Sequence, residues 1–346
     1  MKKIAVLTGG GDCPGLNSVI RSVVLSASGY EIETFGVRNG WRGLADGDLE
    51  LLTGSSVSGI LSWGGTILGT SRTNPLKDPA DLEKMRNTMK TGGIDALVVI
   101  GGDGTLSAAY ELSGRGIPLV GIPKTIDNDV YGTDITIGFD TAVSIVTDMI
   151  DRLHTTAESH HRIMVVEVMG RSAGWIAVMA GMAGGADVIL IPEMHVTLDA
   201  VCDDLRARYR AGKKYSVVVV AEGTHHEDIS GEVVPECNRD ECGHEKFVGI
   251  GNLLGRELGH RLGIETRVTV LGHVQRGGTP TAFDRILGTR FGAAAVEQLV
   301  AGNTGCMVAL QGSRIVTVPL GDVATRIKPV NTGLYDLARS VTKGRM

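Results

Sequence analysis

Short unbroken apolar runs recur along the chain and alternate with amphipathic stretches. The runs at residues 4–7, 97–100, 119–122, 163–168, 188–191, 216–220 and 268–271 read as buried strands, because an uninterrupted apolar run is what a strand covered on both faces requires. Between two of them Ala142, Ile145, Val146, Met149, Ile150 and Leu153 repeat at helical spacing and predict one amphipathic helix. A second helix is expected over 15–27, and helical patterning returns at 249–262. Strand and helix in alternation predict an α/β protein, with mostly parallel sheets covered by helices. A polar, charged stretch without periodicity at 225–246 reads as an exposed excursion.

At 346 residues the chain is long enough for a full core in one large unit or two lobes. Cys13, Cys202, Cys237, Cys242 and Cys306 form an odd, dispersed set, which argues for a reducing cytoplasmic setting over a disulfide framework. The start of the chain does not read as a signal segment, and no apolar run approaches membrane-spanning length. With a net charge of −5 and 4% aromatic residues, neither a nucleic acid nor an anionic membrane is expected as partner. Glycine is the outlier at 49 residues. Many turns must therefore adopt positive φ or admit close backbone approach.

The chemistry gathers at the ends of the predicted strands, where open α/β sheets bind ligands. Thr8-Gly9-Gly10-Gly11-Asp12-Cys13-Pro14-Gly15 joins a strand to a helix, and its backbone N–H groups suit a polyphosphate; a plain tight turn is the equal alternative. Gly101-Gly102-Asp103-Gly104-Thr105 repeats the design around a carboxylate able to hold Mg²⁺ beside phosphates. In Thr125-Ile126-Asp127-Asn128-Asp129, two carboxylates lie two residues apart, so one can accept a proton while the other aids a metal. Out of context such a tripeptide is more often an Asx-rich loop. Met169-Gly170-Arg171-Ser172-Ala173-Gly174, with Arg162 before its strand, and Arg267 followed by His273, Gln275 and Arg276 add guanidinium groups beside glycine turns. Arginine forks of this kind bind phosphate bidentately. Cys237, Cys242 and His244 could hold a soft metal, but incidental thiols in an exposed loop are the commoner reading.

In this order and combination the segments resemble the 6-phosphofructokinase family over nearly the whole chain. The resemblance implies two Rossmann-like lobes interleaved in sequence, roughly 1–138 with 275–325 for the phosphoryl donor and 139–274 with 326–346 for the sugar phosphate, with the active site between them. It implies transfer from ATP, with Mg²⁺, to the 1-hydroxyl of fructose 6-phosphate, a step of glycolysis. Asp127 would be the general base, with Thr125 and Asp129 assisting position and metal. Arg72 and Arg171 would steady the transferred group, and Gly10, Gly11, Arg72, Gly102, Asp103, Gly104 and Thr105 would hold the donor, Asp103 as metal ligand. Met169, Gly170, Arg171, Glu222, His273 and Arg276 would hold the sugar phosphate, together with Thr125 and Asp127. Arg162 and Arg267 would reach it from a neighbouring subunit, so a homo-oligomer, dimer or tetramer, with shared active sites is implied.

Donor choice departs from a simple match. Pyrophosphate-using relatives usually carry Asp at the position of Gly104 and Lys at that of Lys124, whereas many ATP-using ones have Gly at both. This chain mixes the two. A carboxylate at 104 would crowd and repel the α-phosphate of a nucleotide, so its absence favours ATP. A pyrophosphate-dependent enzyme acting on fructose 6-phosphate or a related sugar phosphate is the alternative, and a non-catalytic sugar-phosphate sensor ranks below it. Arg21 and Lys213 match basic effector-site positions of regulated relatives, while Leu25, Gly54, His154 and Ala211 do not, which implies weak or altered effector control.

Overall fold

Each apolar run named above takes part in a strand, and the strands gather into two sheets whose loops at one end carry the glycine-rich motifs. The computed structural model describes residues 1–225 and 249–342. Among these the elements run β1 (Lys3–Thr8), α1 (Leu16–Gly29), β2 (Glu33–Val37), α2 (Gly40–Asp46), β3 (Leu49–Leu52), α3 (Pro79–Gly92), β4 (Ala96–Gly101), α4 (Asp103–Gly114), β5 (Leu119–Pro123) and α5 (Phe139–His160). There follow β6 (Ile163–Val168), α6 (Trp175–Ala183), β7 (Val188–Leu190), α7 (Leu198–Arg210), β8 (Ser216–Ala221), α8 (Ile250–Leu262), β9 (Thr266–Val270), α9 (Ala282–Val300), β10 (Cys306–Gln311), β11 (Arg314–Pro319), α10 (Leu320–Ala324) and α11 (Thr332–Thr342). The possible soft-metal group of Cys237, Cys242 and His244 lies outside the described residues.

The chain divides into two compact units, one from the described residues of 1–141 and 276–328, the other from those of 142–275 and 329–342. The first holds a seven-stranded sheet in the order β11-β10-β5-β4-β1-β2-β3. Its interior strands run parallel, while β3 and β11 close the edges antiparallel to β2 and β10. β1 and β4 lie side by side, yet β1 continues through α1 to β2 on one side and β4 through α4 to β5 on the other. Strand order therefore reverses between them, a switch point beyond whose carboxyl ends wound sheets bind ligands.

The second unit holds a four-stranded parallel sheet in the order β7-β8-β6-β9. Its core joins Ile163, Val165, Val218 and Val220 to Leu254 and Leu258 of α8 and to Leu198 and Leu205 of α7. In the first unit Leu7, Leu97 and Val99 of the central strands pack with Leu106 and Leu112 of α4 and with Trp41, Met85, Met307 and Leu320.

On the other face of the larger sheet α1 packs against α9 at close range. A Cβ at Gly292 would lie 2.6 Å from Ser22 Cβ, and one at Gly288 would lie 3.0 Å from Ser18 Cβ. Ser22 Oγ donates across the crossing to Thr289 O at 2.6 Å. Small residues thus let α9 back the helix that begins at the first glycine turn.

Four strands are additional to the sequence reading: β2, β3, β10 and β11. For β2, β3 and β11, burial is partial or the run is brief, so the apolar signal is weak, whereas β10 is a largely buried apolar run at 306–310 that the sequence reading passes over. The strand expected at 268–271 sits at Thr266–Val270, and it forms a half-exposed edge instead of a buried strand.

Candidate active site

Three turns of the first unit meet at its switch point. After β1, Gly9 N donates to Ile100 O at 2.9 Å, and Gly10 N donates to Ser71 O at 3.1 Å while Thr70 Oγ1 donates to Gly10 O at 2.7 Å. These bonds bring the exposed Arg72 one residue from the glycine turn. Gly10 has φ of 78°, in the left-handed region, so its glycine is a backbone requirement. After β4, α4 starts at Asp103 behind Gly102, which has no side chain to cap the first turn, so an anion could accept from its leading N–H groups. Gly9 and Gly101 lie so close to Thr105 that a Cβ on either would fall 2.7 Å and 2.3 Å from it, which binds the two turns into one surface. At Gly104, by contrast, a Cβ would meet nothing within 4 Å.

The third turn follows β5. Lys124 is buried, and its Nζ donates to Gly9 O at 2.9 Å and to Gly11 O. A buried ammonium needs acceptors, and this one takes them from carbonyls of the first glycine turn. Burial also lowers the Lys124 pKa below the ordinary lysine range, against the raising influence of Cys13 and Asp127. Cys13, buried beneath the same turn, has its thiol pushed up to about 12, chiefly by burial, and is no nucleophile at neutral pH.

Beyond Lys124 the loop folds on itself. Thr125 Oγ1 donates to Asp127 Oδ2 at 3.0 Å and accepts from Asp127 N at 3.1 Å. Asp127 is buried to 2% exposure, while Asp129 is half-buried. Asn128 has φ of 53°, and its Oδ1 accepts from Thr136 N at 3.0 Å. The Asx-loop reading is thus true of Asn128, which organises the backbone, while the carboxylate of Asp127 is held by the Thr125 hydroxyl. Arg276 completes this group, since a Cβ at Gly11 would lie 2.8 Å from its Nη1.

The second unit gathers a separate set at the carboxyl ends of its strands. Glu222 Oε1 accepts from Gly170 N at 3.3 Å and Arg171 N at 3.0 Å, so one carboxylate shapes the turn after β6. Arg171 sits at φ of 53°, and Gly223 approaches its carbonyl so closely that a Cβ there would lie 1.9 Å away. Gln275 Oε1 accepts from Met169 N at 3.2 Å, which ties the turn after β6 to the one after β9, where His273 is exposed. Gly174 N donates to both oxygens of Glu193 at 3.0 and 3.1 Å.

Arg162 and Arg267 stand apart from that set. Both pair with Glu265, Arg162 Nε at 2.9 Å, and the Arg162 hydrogen bond leads the effects that hold the Glu265 carboxyl below its usual range. They lie at the amino ends of β6 and β9, whereas Met169, Glu222 and His273 follow the carboxyl ends. A six-residue strand separates the two places by about 20 Å. The expectation that all these arginines border glycine turns fails for this pair, because parallel strands send residues before and after a run to opposite edges.

Asn128, Gln275 and Glu193 had no assigned role in the sequence reading. Gln275 stood inside a quoted motif, but nothing local marks its partner, which lies 106 residues away.

The phosphofructokinase family profile matches residues 3–299. The pyrophosphate--fructose 6-phosphate 1-phosphotransferase of Streptomyces coelicolor is 52% identical over 336 residues, covering 96% of this chain and 98% of that protein. The ATP-dependent 6-phosphofructokinase of Corynebacterium efficiens is 50% identical over 330 residues, covering 95% of each. Among solved structures, that of phosphofructokinase from Saccharomyces cerevisiae matches with a TM-score of 0.82 and 35% identity, over 94% of this chain and 45% of that longer one.

Proposed function

This chain belongs to the phosphofructokinase family of phosphotransferases, and from that premise we propose that it transfers the γ-phosphoryl group of ATP to the 1-hydroxyl of fructose 6-phosphate, giving fructose 1,6-bisphosphate. Asp127, steadied by Thr125, takes the proton of the 1-hydroxyl as that oxygen bonds to the γ-phosphorus and the bond to the ADP oxygen breaks. Gly10, Gly11, the α4 start at Gly102–Thr105 and Arg72 hold the donor through N–H and guanidinium groups. Arg276 contributes charge beside the first glycine turn. Met169, Gly170, Arg171, Glu222 and His273 hold the sugar phosphate.

Asp103, with Asp129 assisting, fits Mg²⁺, since both offer the hard carboxylate oxygens that this ion takes alongside phosphates and water. When bound, the ion would offset phosphate charge; the proton transfer belongs to Asp127.

The donor reading rests on one observation, the open space at Gly104. Packing does not demand glycine there, and the absence of a carboxylate leaves the start of α4 attractive to a nucleotide phosphate. The engagement of Lys124 with Gly9 O and Gly11 O supports the same donor. Pyrophosphate is the second reading, favoured by the Streptomyces relative's name at 52% identity.

Arg162 and Arg267, apart from the sugar-binding set of their own unit, support a homo-oligomer, dimer or tetramer, in which each pair serves a neighbour's sugar phosphate. Cys13, Cys202 and Cys306 are free thiols, which supports a cytoplasmic enzyme. Among the described residues no helix is long and apolar enough to cross a membrane.

The test is product identity: with Mg²⁺, ATP and fructose 6-phosphate, phosphorus NMR should reveal fructose 1,6-bisphosphate and ADP forming in equal amounts. ATP consumption without bisphosphate, or no consumption, contradicts the proposal.

A further inference from the structure

Lys328 lies 200 residues from Asn128 in sequence, yet its Nζ donates to Asn128 Oδ1 at 3.0 Å, to Thr133 O at 2.8 Å and to Asp134 O at 2.9 Å. An ammonium has three N–H donors, and each has an acceptor on one loop. The backbone joins as well: Lys328 N donates to Asp129 O at 2.9 Å, and the preceding Ile327 forms an antiparallel bridge with Val130. The segment after α10 thus lies along the loop that follows β5 and holds it at 128–130 and 133–134.

The pinned atoms lead to the reacting carboxylate. Asn128 occupies a left-handed conformation, which Asn adopts more readily than most residues. Its amide is held on both sides, with Oδ1 accepting from Thr136 N at 3.0 Å and Nδ2 donating to Asp134 O at 3.3 Å. Thr136 Oγ1 donates to Thr125 O at 2.6 Å, and Thr125 is the residue that grips Asp127. A continuous series of hydrogen bonds therefore runs from Lys328 through Asn128 and Thr136 to Thr125 and Asp127.

From this geometry we infer that Lys328 is a positioning residue for phosphoryl transfer: it holds Asn128 and the 133–134 carbonyls so that the Asp127 carboxylate keeps its orientation. The inference rests on the phosphotransferase reading of Asp127. Lys328 engages the loop and not the substrate, so its loss should appear in turnover and leave binding nearly intact.

The experiment compares wild type, Lys328→Met, Asn128→Gly and the double variant, with Arg326→Ala as control. Arg326 belongs to the same segment but reaches out to the Tyr131 hydroxyl at 2.8 Å. Lys328→Met should lower kcat roughly 10- to 100-fold, since small misplacement of a reacting group has effects of this size. KM for both substrates should stay within about twofold while amide exchange at Thr136 accelerates, and Arg326→Ala should stay within about twofold of wild type in kcat. Because the effect passes through Asn128, the double variant should be no slower than the slower single one. Wild-type kcat in Lys328→Met, unchanged exchange at Thr136, or fully additive losses would each overturn the inference. If Lys328→Met does not fold, Lys328→Gln replaces it in the same comparison. A wild-type enzyme inactive with both ATP and pyrophosphate would count against the functional reading alone, since exchange at Thr136 still judges the tie to Lys328.

Discussion

Asp127 is a buried carboxylate held by the hydroxyl two residues before it, and this arrangement suits proton acceptance at a defined place. Replacing Asp127 by Ser should lower kcat by about 10²- to 10⁴-fold with little change in KM, as removal of a general base does. Steady-state kinetics with both substrates varied would reveal a wrong assignment as unchanged turnover. The loop was legible because Thr125, Asp127 and Asp129 are local in sequence and follow an apolar run. Lys328 and Gln275 were not, since each acts on residues far away in the chain, and the motif around Gln275 does not reveal its partner.

A second buried carboxylate, Asp284, sits in the first turn of α9. Asp284 accepts from Gly138 N and Thr141 N, both at 2.9 Å, and from Thr141 Oγ1 at 2.6 Å, yet burial raises its pKa to about 6. The folded value lies above the ordinary 3.8, so its contribution to stability is full below about pH 4 and is lost as pH rises through 6. Denaturation of wild type and Asp284→Asn between pH 4 and 7 should show wild type losing stability relative to the variant as pH rises. A constant difference would contradict this.

At the scale of elements, the start of α4 carries the donor reading. Gly104→Asp places a carboxylate in the first helical turn, where it complements the helix dipole by about 0.3–1 kcal/mol and replaces a poor helix former. It should therefore leave melting temperature unchanged or raised while cutting ATP-dependent turnover at least tenfold. A fall in both would mean that the substitution damages the helix and says nothing of phosphate repulsion. The central strands were readable as unbroken apolar runs because both faces are covered. The outer strands β2, β3 and β11 were not, because partial exposure and adjacent glycines erase that signal. Sheet order was likewise beyond sequence, and with it the switch point that brings the first and second glycine turns side by side.

For the whole molecule, the separation of Arg162 and Arg267 from Met169 and Glu222 has a consequence that mixing can test. Asp127→Ser and Arg162→Ala should each be nearly inactive alone. Dissociated together and reassembled, they should regain part of the wild-type rate, because a hybrid can pair an intact Asp127 with a neighbour's intact Arg162. Failure to regain activity in a verified hybrid would assign both residues to sites within one subunit. The resemblance of the motifs reached the family, which the match over residues 3–299 and relatives near 50% identity establish. It did not reach the donor, since relatives of both kinds lie equally near.

The most direct measurement is therefore the initial rate of fructose 6-phosphate phosphorylation by the unmodified protein with Mg²⁺, ATP and pyrophosphate being assayed side by side. A rate with ATP at least a hundredfold above that with pyrophosphate is the predicted result, with Gly104 deciding the donor. A pyrophosphate rate equal to or above that with ATP would contradict the account and give the decision to Lys124.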